Sequence, residues 1–329
     1  MKEEIMTNDD GLIAAYILDE KGGGQRVGWK EIQQWTATDG LLWVHLNFTA
    51  PEAQRWIEEE SQLEDVVADA LLADESRPRV TAFDDGLLIA FRGVNLNPGA
   101  DPEDMVSLRI WADKNRVITT RRRKLLSVED LCTAIEKGKG PKTSGEFLED
   151  VADRLMYRMG GVIDQLEDKV ADLEEEVLTA ESHELRPKLA SIRRDAIHLR
   201  RYMAPQREAV ARLQSEKISW LAEEDKLRLR EIYDHLTRYI EDLDAARERA
   251  AVTQEELASR LSEQMDNRMY VLSIVAAIFL PLGFLTGLLG INVGGIPGAD
   301  YKAAFVIFCL LLMALVVVEI VIFKRKKWM

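Results

Sequence analysis

Cysteine, histidine and basic side chains are all scarce in this 329-residue chain. The two cysteines, Cys132 and Cys309, are too few for a disulfide framework, so a reducing compartment is expected for the soluble part. The four histidines (His45, His183, His198 and His235) are scattered. Asp195 with His198, and Glu231 with His235, stand at helical spacing, but each pair offers fewer ligands than the three or four that hold zinc. Lysine and arginine total 43 against 57 acids, a formal net charge of −14. That shortage of positive charge excludes a general nucleic-acid binder and suits a protein that gathers cations. Enzyme signatures are missing as well: no Gly-rich phosphate loop, no Cys-x-x-Cys, no His-Glu-x-x-His and no Gly-x-Ser-x-Gly. No enzyme is expected and no catalytic residue is assigned.

Long hydrophobic runs are present, and both lie at the end of the chain. Met269 to Ile291 is 23 residues without a charge, and Ala303 to Phe323 is 21 residues with one, Glu319. At about 1.5 Å per residue, either run exceeds the ~30 Å of a bilayer core. Two transmembrane helices follow, 269–291 and 303–323, joined by an extracytoplasmic loop, 292–302. The cluster Lys324-Arg325-Lys326-Lys327 marks 324–329 as a basic cytoplasmic tail. Two spans return the N-terminus to the same side, and Met1-Lys2-Glu3-Glu4 lacks the apolar core of a signal peptide. The net charge is −14 overall and +3 beyond residue 268, which leaves the cytoplasmic part at −17.

Residues 1–140 mix strand and helix signals and read as a cytoplasmic α/β domain. Strands are predicted at Leu12–Leu18, Leu41–Phe48, Val80–Phe83, Leu87–Asn95, Met105–Ala112 and Val117–Arg121. Gly22-Gly23-Gly24, Asp84-Asp85-Gly86, Asn97-Pro98-Gly99 and Asp113-Lys114-Asn115 separate them as turns. Helices are predicted at Pro51–Glu60 and Glu64–Asp74, and Gly138–Gly145 reads as the linker out of the domain. Residues 141–268 read as a helical region ending in a stalk helix. Leu155, Met159, Val162, Leu166, Val170, Leu173 and Val177 recur at steps of three or four. Leu185, Leu189, Ile192, Ala196 and Leu199 do likewise, with Pro205 expected to kink or interrupt their helix. The most regular stretch is Leu229, Ile232, Leu236, Tyr239, Leu243, Ala246 and Ala250, a heptad seam that must pack against long partner helices. No proline or glycine falls between Leu221 and Val271, so one helix can run from the cytoplasm into the bilayer.

Three charged features have ordinary readings. Arg121-Arg122-Arg123-Lys124 reads as a solvated strand end, and Asp172 with Glu174, Glu175 and Glu176 as an acidic face or weak cation attractor. Glu319 lies five residues before Lys324, about 7.5 Å along a helix, close enough to snorkel or pair with the basic tail.

The first span is more informative. Pro281 lies inside it, and Gly283, Gly287 and Gly290 recur at four and three, a spacing that lets helices or a pore axis approach closely. Asn292 ends the run where its amide can face an ion. The sequence Phe279-x-Pro281-Leu282-x-Phe284-x-x-Gly287-x-x-Gly290-x-Asn292, with a second span and a basic tail, resembles the CorA superfamily of divalent-cation transporters. That family's signature is Gly-Met-Asn, and here Gly290-Ile291-Asn292 stands in its place as the selectivity motif. The isoleucine, the following Gly294-Gly295-Ile296-Pro297-Gly298, and the stretches Trp43–Phe48, Ser107–Trp111 and Val117–Arg123 resemble its zinc-transporting ZntB-type branch.

The resemblance implies a homopentameric funnel: an α+β cytoplasmic domain, long coiled-coil-like stalk helices and a two-helix transmembrane region. It places the pore lining on Met269, Leu272, Leu280, Gly283, Gly287 and Asn292, with Asp266 just below, and Ala276 fills the long gap. A ring of Asn292 amides would meet a hydrated cation at the entrance. The function implied is zinc transport across a bacterial inner membrane, by uptake with proton coupling. No cofactor is implied; Zn2+ is cargo, with Cd2+, Ni2+ and Co2+ as further candidates. Partners would be other copies of the chain, the lipid bilayer, metal ions and protons, and no nucleic acid. Two alternatives stand beside it: a CorA-type magnesium or cobalt channel, and a membrane-anchored coiled-coil scaffold or sensor.

Overall fold

A computed structural model describes residues 10–74, 77–179, 184–291, 298 and 301–326. Seven strands form one sheet: β1 (Leu12–Leu18), β2 (Gly24–Arg26), β3 (Leu41–Asn47), β4 (Arg79–Phe83), β5 (Gly86–Gly93), β6 (Val106–Ala112) and β7 (Arg116–Arg121). Their order is β2-β1-β3-β7-β6-β5-β4, and only the central pair β3–β7 is parallel. Helices cover both faces, so the inner strands are nearly continuous apolar runs rather than alternating ones. In β3 every residue but Asn47 is buried.

One face packs under α1 (Trp29–Gln34), α2 (Pro51–Arg55) with the π-helical turn Trp56–Glu60 that extends it, and α3 (Asp65–Leu72). The cross-strand row Val44, Ile118, Trp111, Leu88 shares a core there with Trp56, Ile57, Val67 and Leu71. The other face turns Trp43 onto Phe147, ring centres 5.1 Å apart, beneath α4 (Leu126–Glu136), α5 (Ser144–Thr179) and α6 (Leu185–Ser215). The six predicted strands are all present, with ends displaced by no more than two residues. The strand β2 and the helices α1 and α4 were not legible: β2 and α1 are too short to establish a period, and α4 runs into the glycine-rich stretch after it. Gly138–Gly145, read as a linker, is held in place: the Gly140 amide donates to the Gly22 carbonyl, and α5 begins at Ser144.

The basic strand end is paired rather than merely solvated. Arg121 turns inward and donates to Nε2 of the buried His45 at 3.0 Å. Nδ1 of His45 lies 2.8 Å from Thr119 Oγ1, which also accepts from Trp43 Nε1. Burial, and then the Arg121 charge, holds this imidazole well below its usual range, so it stays neutral with both nitrogens engaged. Arg122 lies 3.6 Å from Asp74, Arg123 pairs with Asp104, and Lys124 with Glu129 at 2.8 Å.

The long helix α7 runs unbroken over Glu223–Leu289, as the lack of helix breakers predicts. Its seam is filled by the chain itself: Leu229, Ile232, Leu236, Leu243, Ala246 and Ala250 are all buried in the single chain. Side-chain links to α5 and α6 pin the contact, Arg249 to Glu174 at 3.0 Å, Arg200 to Asp244 at 2.9 Å and Arg193 to Gln254 at 3.0 Å. Glu174, read as part of an acidic face, thus serves as an ion-pair partner. The inward positions shift in places from the heptad reading. Ile240 is buried where Tyr239 was expected, and Ile163 where Val162 was. A straight helix drifts from a strict seven-residue repeat. Tyr239 instead lies over Gly160, where a Cβ would come within 2.3 Å of its hydroxyl. Helix α6 continues through Pro205, contrary to the expected interruption.

Residues through Gln254 form one compact unit and Glu255–Met329 a second. The sheet and the helices after it, separate segments in the sequence reading, share the first. The second holds the end of α7 and α8 (Ala304–Arg325), both with stretches long and apolar enough to cross a bilayer.

Leu236 is fully buried, so Leu236→Ala should cost about 2–5 kcal/mol of stability in denaturant unfolding followed by tryptophan fluorescence. A second expectation concerns pH. Burial pushes the Glu149 carboxyl from its ordinary 4.5 up to about 7; Asp150, Asp153 and Asp225 add to this, and Arg228 opposes it. A raised folded-state pKa gives stability that is full below about 4.5 and lost as pH rises through about 7. Glu149→Gln removes that loss, so its melting temperature relative to wild type should climb as pH rises through this window. A constant difference across it would contradict the linkage.

Candidate pore helix

Beyond residue 268 the surroundings of α7 change. Its side chains are apolar and open: Met269 is 61%, Leu272 64% and Leu280 70% exposed in the single chain. Such a surface is a liability in water, and it is the surface required of a helix that meets lipid or other copies.

Exposed side chains occupy most of the circumference, and the positions that the resemblance assigns to a pore form one part of it. At about 100° per residue, Met269, Leu272, Ala276, Leu280, Gly283 and Gly287 span roughly 80° of the helix circumference. All are exposed, and nothing lies within 4 Å of a Cβ built on Gly283 or Gly287. Gly290 falls at one margin of this stripe, and the exposed Asp266 lies just beyond the other. Between Met269 and Ile291, the residues partly covered are Ile274, Ile278, Pro281, Leu282 and Leu285, which cluster on the opposite side of the helix. Phe323 of α8 stands with Tyr270, Ser273, Ile274 and Ala277 around a cleft of about 370 Å³. The described residues that the resemblance assigns to a pore therefore share one uncovered stripe or border it. Asn292 lies outside the described residues; Gly290 and the exposed Ile291 precede it.

Local chemistry suits a dry environment. Ser273 donates to the Met269 carbonyl at 2.8 Å and Thr286 to that of Leu282 at 2.9 Å, so both hydroxyls are satisfied inside the helix. Pro281 supplies no amide hydrogen, which leaves the Ala277 carbonyl without its helical donor. On α8, Phe308, Leu312, Leu315, Glu319 and Phe323 recur at steps of four and three as a partly covered face. Glu319 thus shares a side with Phe323, which borders α7, and its Oε2 is buried without a hydrogen-bond partner among the described residues.

Among the described residues no three His, Cys, Asp or Glu side chains converge as metal ligands. His198 is exposed, and His235 lies 2.8 Å from the Arg238 guanidinium. His183 lies outside the described residues.

A sheet-bearing unit and two lipid-length helices, the first with an open small-residue stripe, fit the class of two-span membrane ion transporters. The family described as CorA-like Mg2+ transporter protein matches residues 38–325. The chain is 43% identical to the divalent cation transporter CmaX of Pseudomonas aeruginosa, over 98% of both chains. It is 40% identical to the zinc transport protein ZntB of Pectobacterium carotovorum, over 97% of this chain and 96% of that one. The solved structure of full-length CmaX superposes with a TM-score of 0.85 at 41% identity, covering 98% of this chain and all of that one. The chain belongs to the CorA family, a family of ion transporters and not of enzymes.

If the open stripe meets its counterparts on other copies, its positions must approach one another across an axis. With Cys132 and Cys309 replaced, Gly287→Cys should cross-link between copies on mild oxidation in membranes, and Ile278→Cys on the covered side should not. Equal cross-linking of the two would remove the distinction between the faces.

Proposed function

We propose that this chain moves divalent cations, zinc foremost, into the cell through a homopentameric pore in the bacterial inner membrane, both termini being cytoplasmic. The observation that carries the reading is the uncovered stripe from Met269 to Gly287, opposite the covered side of α7. Five such stripes around an axis would form a narrow, mostly apolar passage. Met269 and Leu272 would make its dewetting gate, and Asp266 a ring of carboxylates just below. At the entrance, Asn292 amides and nearby carbonyls would offer neutral oxygens to a cation that keeps some of its water. The stripe has no imidazole or thiolate, so selection of zinc by soft inner-shell ligands has no basis there.

The driving forces favour entry. An inside-negative potential contributes about 2.3 kcal/mol per charge at 100 mV, hence about 4.6 for a divalent ion. The −17 carried by residues 1–268 holds cations near the inner mouth without adding a net driving force for entry. Proton coupling belongs to the same proposal, and a pH gradient tests it directly. A magnesium or cobalt channel is the second reading, favoured by the magnesium description of the matched family and the general name of the CmaX relative.

Purified protein in liposomes, challenged with zinc, magnesium and cobalt with and without a pH gradient, separates these readings. Zinc flux accelerated by the gradient supports the first, and gradient-independent magnesium or cobalt flux without zinc flux supports the second. Asn292→Ala should reduce zinc flux at least about tenfold, because the amide oxygen that offsets about 1.4 kcal/mol or more of dehydration is gone. Wild-type flux in this variant would leave Asn292 as a helix terminator only.

A further inference from the structure

The chain is acidic overall, yet one cleft in its sheet-bearing unit is lined, among the described residues, by six arginines and a single carboxylate. Arg77 lies just before β4 and Arg79 begins it, and Arg200, Arg201, Arg207 and Arg212 come from α6, with Glu208 beside them. The cleft holds about 600 Å³, and the prolines and alanines between the arginines contribute short or rigid side chains that leave it open. That volume lies within the range that takes a small organic ligand.

The charges are only partly balanced. Arg200 bonds Asp244, Arg207 bonds Glu208, and Arg212 bonds Glu216. Arg77, Arg79 and Arg201 have no carboxylate partner among the described residues; Arg201 lies near the Tyr202 ring, 5.5 Å from its centre. Edge-strand protection accounts for a charge at Arg79, since β4 ends the sheet. It does not account for four more on the facing helix. Like charges gathered around one cavity repel, and a bound polyanion relieves that repulsion.

We propose that this cleft binds a small oligophosphate, either free or as the phosphate chain of a nucleotide. Guanidinium groups form paired hydrogen bonds to phosphate oxygens, and several together need a ligand carrying three or four negative charges in little volume. A chain of phosphates has that charge density, whereas a mono- or dicarboxylate does not. The site is separate from the ion path proposed for α7 and does not depend on it.

The test uses the full-length protein in detergent, free of divalent metal, with tripolyphosphate, ATP, AMP and citrate as probes. Calorimetric titration should show saturable binding of tripolyphosphate, ATP or both, and weaker or absent binding of AMP and citrate. Equal affinity for the first two assigns the site to phosphates alone, and a preference for ATP adds the base and sugar to it. The Arg77→Ala/Arg79→Ala variant alters only exposed side chains and should weaken binding by about tenfold or more, with an unchanged melting temperature in the absence of ligand. Arg201→Ala should weaken it independently, and Arg122→Ala, outside the cleft, should not. No binding of either oligophosphate, binding of citrate equal to theirs, or affinity unaltered in both cleft variants overturns the proposal.

Discussion

A peptide group in hydrocarbon has no water to bond, so a chain that enters a bilayer must satisfy its own backbone before anything else. Helix α7 meets that demand except at the Ala277 carbonyl, which Pro281 leaves without its helical donor, while its surroundings change along its length. Over its first half, the seam from Leu229 to Ala250 is buried against the chain's own helices. Over its last third, apolar side chains lie open and the hydroxyls of Ser273 and Thr286 bond within the helix. One backbone ladder serves both settings, and its continuity allows a packed helix and a membrane helix to be one element.

Burial in the sheet-bearing unit is stabilised by polar groups that are matched rather than excluded. Trp43, His45, Thr119 and Arg121 form a connected chain of hydrogen bonds inside the sheet layer, with the imidazole neutral. Where matching fails the cost is visible, as at Arg109. Its Nη2 reaches the Asp74 carbonyl at 2.9 Å and its guanidinium lies over Phe48, while Nε and Nη1 find no partner among the described residues. The positive charge of the arginine-lined cleft contrasts with the acidic chain as a whole.

The proposed transport depends on surfaces a single chain leaves incomplete. The open stripe has no Cβ contacts at Gly283 and Gly287, so these glycines answer to no neighbour among the described residues. Their small size matters only where something approaches from outside, whether an ion with its water or another helix. Glu319 is a contrasting case, because its partly covered position arises within the unit that holds the end of α7 and α8.

The sequence alone determined the elements whose signals are long. Two uncharged or nearly uncharged runs specify lipid-length helices, a 3/4 repeat specifies a packed helix, and β-branched runs between turns specify strands. The stripe's positions came from the family resemblance, and helix geometry adds only that Met269, Leu272, Ala276, Leu280, Gly283 and Gly287 share one face. Partners distant in sequence were not legible. That α5 and α6 fill the heptad seam, and that the basic strand end turns Arg121 onto His45, depend on which faces meet after folding. The six arginines stand in two groups more than 120 positions apart, at 77–79 and 200–212, and neither group is unusual by itself. Periodicity reports which side of an element is apolar, and only tertiary structure decides what covers that side.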